Sequence, residues 1–111
     1  MADLNQRIIE AVGPVVGVCV PDLYLGEQEI YCTFNFTELS TLFGDDVSLA
    51  TAYLAQVHLF LPLKAESVAL RRQLRDALMA PGFTAPTITN ATDEVSQHYV
   101  YEFQAMDWEV G

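Results

Sequence analysis

Residues 50–62, ATAYLAQVHLFLP, decide the fold because they form the longest apolar run in the sequence. Successive side chains of a β-strand point to opposite faces, and here both faces are largely apolar. One face carries Tyr53, Ala55, Val57, Leu59 and Leu61, and the other carries Leu54, Gln56, His58 and Phe60. A strand buried on both faces needs strands beside it and at least one helix over it. We therefore predict that this stretch is the central strand of a sheet.

Size and composition favour one domain that associates with a neighbour. The chain has 111 residues, enough for a single core, and we predict one domain over residues 1–111. Hydrophobic residues make up 51% and charged residues 18%, which indicates apolar surface shared with another subunit. Fifteen acidic against five basic side chains give a net charge of −10. Such a charge repels nucleic acid, so direct DNA binding is not expected.

The basic side chains are concentrated in one segment. Residues 64–76 hold Lys64, Arg71, Arg72 and Arg75 against two acidic side chains, a net +2 that leaves −12 on the remainder. A basic strip on an acidic body can dock on copies of itself. A solvated helix face explains the same pattern equally well, and the charges alone do not decide between the two interpretations.

The segments before the central strand predict a helix and two strands. Residues 3–12 have a helical apolar face, with Asp3 and Gln6 spaced like a capping box. Residues 15–20 form a short β-branched run that predicts an edge strand or one arm of a hairpin. Residues 28–36 alternate cleanly, with the core face made of Ile30, Cys32, Phe34 and Phe36.

Residues 37–49 show no sustained period and contain the turn residues Gly44, Asp45 and Asp46. We predict a long loop there, mobile over residues 38–49 in an isolated subunit, whose Leu42, Phe43 and Val47 need a partner surface.

The segments after Pro62 predict a helix and a closing strand pair. The helix has an apolar stripe flanked on one edge by basic residues and ends at Pro81 and Gly82. Residues 87–90 and 96–106 then read as two strands. The whole order predicts an α+β fold with one mixed or mainly antiparallel sheet and two helices packed on it.

The candidate reactive residues favour structural roles. We predict that Cys19 and Cys32 are reduced core residues, and that His58 and His98 are hydrogen-bonded strand residues. Adjacent carboxylates could attract a divalent cation to the turn at residues 45 and 46, but no further acidic residue lies at ligand spacing. No nucleophile elbow and no phosphate-binding glycine loop is found. The sequence therefore predicts a protein that is not an enzyme and has no metal or cofactor.

Targeting signals also bear on the expected location of the protein. No charged-then-apolar leader and no apolar run of membrane-spanning length is found in the sequence. We therefore expect a cytosolic protein that needs no membrane.

Several short motifs resemble those of one viral family. These are the strand YCTFN at residues 31–35, the turn GDD at 44–46, QVHLFLP at 56–62, a helix closing at PGF (81–83), and a final aromatic strand. In this order they resemble small tail-terminator or tail-completion proteins of tailed bacteriophages, over most of the chain from Ile30 onward.

The resemblance implies a structural virion protein that joins head and tail. Members of that family form a ring, commonly a hexamer, at the head-proximal end of the tail tube, where the ring stops tube growth and meets the head connector. The implied partners are the protein itself, the tail tube protein and the connector protein, with DNA only passing through the hole. The implied location is the virion tail, after assembly in the host cytoplasm. A small acidic binding module, such as an inhibitor or a nucleic-acid mimic, is the alternative.

A ring predicts a heterologous contact between different surfaces of neighbouring subunits. The basic strip of one subunit would meet acidic side chains of the next, with Asp45 and Asp46 as candidates and Leu42 and Phe43 supplying apolar contact. The charges would set the orientation, because exposed ion pairs contribute little affinity.

Overall fold

The chain folds into one five-stranded sheet with both helices on the same face. The structure is a computed structural model that describes the backbone of residues 3–44 and 47–108 and the side chains of residues 3–39 and 50–106. Its elements are α1 (Leu4–Val12), β1 (Cys19–Pro21), β2 (Tyr31–Gly44), β3 (Val47–Leu61), α2 (Val68–Ala77), β4 (Thr87–Asn90) and β5 (Gln97–Trp108). The strand order is β1-β2-β3-β5-β4, with β1 parallel to β2 and the other pairs antiparallel. The predicted α+β class, with a mixed sheet and two helices, is confirmed.

Strand β3 lies at the centre of the sheet, as predicted. It pairs with β2 on one side and with β5 on the other. On its inner face Ala55, Val57 and Leu59 are fully buried. They join a core to which α1 contributes Ile8 and α2 contributes Leu74.

The expectation that β3 is buried on both faces is wrong for one face. Its second set of side chains, Leu54, Gln56, His58 and Phe60, is only half-buried. The reason is that both helices cover the same face of the sheet, while neighbouring strands place polar residues on the opposite face. We call this second face the open sheet face; its members across β2, β3 and β5 include Tyr31, Thr33, Asn35, Gln56, His58, Phe60, His98 and Glu102.

The first helix begins at its predicted cap. The Asp3 carboxylate accepts a hydrogen bond from the backbone N–H of Gln6 at 2.9 Å, which satisfies one free donor of the first turn. Leu4, Ile8 and Val12 then point into the core.

The second helix begins at Val68, in the segment after Pro62 where the sequence pattern predicts a helix. The segment between them is a turn held by Gln97 of β5. The Gln97 side-chain amide donates to the carbonyl oxygens of Pro62 at 2.9 Å and Ala65 at 2.8 Å. These bonds connect the turn that precedes α2 to β5.

The predicted long loop at residues 37–49 is wrong. Strand β2 continues to Gly44 and β3 already begins at Val47, so most of this segment forms an antiparallel hairpin. Register shifts occur between Glu38 and Ser40 and again between Leu42 and Phe43. A bulge adds one residue to one strand and moves the following side chains to the other face. The alternation expected of a strand is therefore interrupted in the sequence although the pairing continues.

Strand β1 is an edge strand, as one of the two predicted alternatives states, but it is not a hairpin arm because it runs parallel to β2. Cys19 is the direct neighbour of Cys32 in this pairing, and both thiols are free. Burial raises the pKa of Cys19 to about 11. Burial, together with the Cys19 thiol, also raises the pKa of Cys32. Both cysteines therefore stay protonated at neutral pH, in agreement with their predicted place in the core.

Candidate subunit interface

The structure places three of the four residues of the predicted basic strip, its arginines, in one groove. The groove lies between α2 and β4, has a volume of about 200 Å³, and is lined by Val68, Arg71, Arg72, Arg75 and Ile88. We call it the basic groove. Its walls combine two apolar side chains with three guanidinium groups, because Arg75 lies about one helical turn after the adjacent Arg71 and Arg72 on α2. Such a surface can accept an acidic segment that also carries apolar side chains.

Arg71 is held in place by packing. Its guanidinium carbon lies 4.5 Å from the centre of the Tyr99 ring, within the range of a cation–π contact. Its Nε is buried and makes no hydrogen bond, and its backbone carbonyl accepts from the Tyr101 hydroxyl at 2.8 Å. Arg71 therefore forms the fixed floor of the basic groove.

The two outer arginines are more accessible. Arg72 is exposed, and Arg75 forms an ion pair with the adjacent Asp76, whose Oδ1 lies 3.0 Å from Arg75 Nη2. With the side chains 43% and 61% exposed, this pair contributes little to stability. Both arginines remain available to a carboxylate that approaches from solvent.

The other predicted interface residues are not placed in this groove. Lys64 is exposed in the turn before α2, so it does not belong to the helical strip. Asp45 and Asp46 lie outside the described residues. The backbones of Leu42 and Phe43 belong to β2 and pair with Ala50 and Ser48, but their side chains lie outside the described part. The predicted contact between the basic strip and Asp45 and Asp46 therefore stays a prediction.

An acidic and apolar loop, which the sequence interpretation treated only as a connection, is a second interface candidate. It spans residues 22–30 between β1 and β2 and is exposed except at Tyr24. Leu23 is 69% exposed and Leu25 is 87% exposed. Its acidic side chains are Asp22, Glu27 and Glu29. We call it the acidic loop. The sequence does contain a pattern that could have indicated this surface: two leucines close to a turn glycine and to three carboxylates.

The acidic loop has a defined shape. The Tyr24 ring folds back so that its hydroxyl accepts from the backbone N–H of Gln28 at 3.1 Å, and its centre lies 4.8 Å from that of Tyr31. A Cβ at Gly26 would overlap the Tyr24 ring, so only glycine permits this close approach. The two exposed leucines are thus presented by an ordered loop, and less conformational entropy is lost when they bind.

The basic groove and the acidic loop adjoin different edge strands of the sheet. The loop follows β1, which is the first strand in spatial order, and the groove borders β4, which is the last. Strand β4 is exposed at all four residues. Separate placement of two complementary surfaces permits head-to-tail association of identical subunits.

The open sheet face carries a row of stacked rings. Ring centres are 4.9 Å apart for Tyr31 and Phe60 and 4.2 Å apart for Phe60 and His98. These residues are cross-strand neighbours in β2, β3 and β5. Such pairs stabilise the sheet and leave a partly apolar, nearly uncharged surface.

Two histidines meet on this face. His58 Nδ1 lies 2.8 Å from His98 Nε2, so the N–H of one ring donates a hydrogen bond to the other ring, and Asn35 Nδ2 lies 3.4 Å from His58 Nε2. Burial lowers the pKa of His58 below 6.5, and His98 lowers it as well. Burial lowers the pKa of His98, partly offset by Asp93. Both rings are therefore neutral at pH 7, and their contact agrees with the predicted hydrogen-bonded role.

The described side chains include no group of three or more histidine, cysteine, aspartate or glutamate residues arranged to hold a metal ion. Over the same part of the chain, neither helix has the length and apolar character required to cross a membrane.

Comparisons with known proteins add no relative. The chain matches no protein-family model and no curated protein sequence.

Proposed function

We propose that this chain is a structural protein that associates head to tail into a ring, and that the ring ends the tail tube of a tailed bacteriophage and joins it to the head connector. The observation that carries the ring is the basic groove on an otherwise acidic subunit, placed beside an exposed edge strand. The virion role is supported by the resemblance of residues 31–35, 56–62 and 81–83 to tail terminators.

Charge within the subunit also supports this proposal. A ring of subunits that each carry a net charge of −10 repels the DNA that has to pass through its hole. Rejection of phosphate by carboxylates would let DNA move without binding to the wall. The acidic character and the basic groove thus have separate roles, one toward DNA and one toward the next subunit.

The virion role is tested by removing the chain from the phage that encodes it. We expect lysates without the protein to contain heads that lack tails, together with tail tubes of irregular length seen by negative-stain electron microscopy. Complementation with the wild-type chain should restore joined particles, and complementation with an Arg72→Glu, Arg75→Glu variant should restore few. Normal, infectious particles without the protein would contradict the proposal.

Purified virions distinguish the proposed tail terminator from the alternative, a small acidic binding module. An inhibitor or nucleic-acid mimic would be absent from purified virions and would bind a basic protein as a monomer. A tail terminator should be found in the virion in a fixed number of copies, which quantitative mass spectrometry of purified particles measures.

A further inference from the structure

We infer that the acidic loop of one subunit docks in the basic groove of the next. This inference rests on the head-to-tail ring proposed above and names the two surfaces that form the contact. As the partner of the basic groove, it names the acidic loop instead of the predicted Asp45 and Asp46, which lie outside the described residues.

Chemical complementarity is the first argument for this occupant. The groove offers the apolar side chains Val68 and Ile88 beside three guanidinium groups. The loop offers Leu23 and Leu25 beside three carboxylates, Asp22, Glu27 and Glu29. Apolar contacts supply most of the affinity of such an interface, and charge pairs at its rim fix the orientation.

Exposure is the second argument. In the free subunit Leu25 is 87% exposed and Leu23 is 69% exposed, although the loop that carries them is ordered by Tyr24. Ile88 in the groove wall is 42% exposed. Burying large apolar side chains of this kind stabilises a complex, because apolar surface leaves water. The groove, of about 200 Å³, is open to solvent and therefore accessible to a segment of another subunit.

Geometry is the third argument. The loop adjoins β1 and the groove adjoins β4, and the two share no residue, so a copy that docks its loop leaves its own groove free for another copy. Repetition of a heterologous contact closes a ring when the rotation per subunit permits it.

The test uses two full-length variants, each with one surface disabled. The loop variant carries Leu23→Ser and Leu25→Ser, and the groove variant carries Arg72→Glu and Ile88→Ser. All four positions are exposed, so the fold should tolerate the changes. A matched control carries Leu63→Ser and Met79→Ser, two exposed apolar residues that belong neither to the acidic loop nor to the basic groove.

The expected result is complementation. Each variant alone should sediment at the mass of one chain, while an equimolar mixture should form a dimer and stop there, because only one loop and one groove remain intact. The control should assemble as the wild type does. A mixture that stays monomeric, a loop variant that assembles normally, or a wild-type chain that is monomeric up to about 1 mM would each overturn the inference.

A charge exchange provides a second measurement that depends only on exposed or half-exposed side chains. Arg72→Glu with Arg75→Glu should weaken association at least about tenfold, and adding Glu27→Lys with Glu29→Lys to the same chain should restore most of it. If Asp45→Lys with Asp46→Lys restores association and the loop changes do not, the loop is not the occupant.

The two proposals fail separately. If tail assembly requires the protein but the mixed loop and groove variants do not form a dimer, only the loop contact is contradicted. If the mixed variants form a dimer but phage tails assemble normally without the protein, only the virion role is contradicted.

Discussion

At the scale of single residues, one buried glutamine connects β5 to the turn before α2. Gln97 is 8% exposed, donates to the carbonyl oxygens of Pro62 and Ala65, and accepts from the Tyr99 hydroxyl at 2.7 Å. Its removal leaves buried polar groups without partners. We expect Gln97→Ala to lower the free energy of unfolding by about 1–3 kcal/mol in a urea melt. Exposed Gln73→Ala is the control, and an equal effect of the two changes would contradict this role.

The histidine pair predicts a pH dependence of stability. Folding lowers the pKa of both His58 and His98 below 6.5, so the unfolded chain binds more protons than the folded chain as the pH falls through that value. The free energy of unfolding should therefore decrease between about pH 7.5 and about pH 5.5. Asp93, whose backbone hydrogen bonds lower its pKa below 3.8, stays ionised throughout.

Denaturant melts across that interval measure the decrease. A variant with His58→Gln and His98→Gln should show a flatter profile than the wild type, with the difference confined to the acidic half. An unchanged slope in the double variant would assign the pH dependence to other groups.

Only part of this residue-level detail follows from the sequence. Period-two alternation predicts that Tyr99, Tyr101 and Phe103 share one face of their strand, and in the structure all three are buried. The contact between His58 and His98 depends on strand register, in which Phe60 faces His98 and the two histidines are diagonal neighbours. Register is set by cross-strand packing and turns over the whole sheet, so no local pattern predicts it.

At the scale of elements, the central strand provides the clearest test of the core. Leu59 is fully buried and lies between Cys32 of β2 and Tyr99 of β5. We expect Leu59→Ala to cost about 2–5 kcal/mol of unfolding free energy. Leu63→Ala, at a position that is 49% exposed, should cost much less. A loss below about 1 kcal/mol for Leu59→Ala would contradict the assignment of β3 to the core.

Because β2 and β3 form a hairpin, we expect the backbone amides of that hairpin to exchange hydrogen slowly. Residues 37–42 were expected to be an irregular mobile loop, but Thr37 pairs with Leu54 and Glu38 pairs with Tyr53. Amides that donate within a ladder are protected from exchange. We expect slower hydrogen exchange at residues 37–42 than in the acidic loop at residues 22–30, measured by NMR on a confirmed monomer. Equal rates would show that the hairpin opens freely in the isolated subunit.

The elements show where pattern reading succeeds and fails. Capping and apolar spacing predict α1 from Asp3 onward, and strict alternation predicts β4 and β5. The bulges after Glu38 and Leu42 interrupt the alternation, and the turn after Pro62 is held by Gln97, which is distant in sequence. The basic groove also combines residues of α2 with Ile88 of β4, which are distant in sequence. The sequence predicts the separate segments, but only the folded structure shows the surface that they form together.

At the scale of the whole molecule, salt should act on association in two opposing ways. Subunits that each carry a net charge of −10 repel one another over a Debye length of about 30 Å at 0.01 M salt but only about 8 Å at 0.15 M. The contact between loop and groove acts at shorter range and is screened less. We therefore expect wild-type association to strengthen between those two salt concentrations, measured by analytical ultracentrifugation.

The Arg72→Glu, Arg75→Glu variant should lose more affinity at low salt than at high salt, because its added negative charge is then least screened. Association of the wild type that weakens steadily as salt rises would mean that contact charges outweigh the repulsion between whole subunits.

The placement of both helices on one face of the sheet has a geometric consequence for any closed assembly. Rotation about a single axis carries each subunit onto the next without turning it over, so every helical layer has the same orientation relative to that axis. The assembled particle would then be directional, with one wall or rim of helices and another of stacked rings and histidines. A directional collar can match a growing tube on one side while presenting a surface on the other to which no further tube subunit binds.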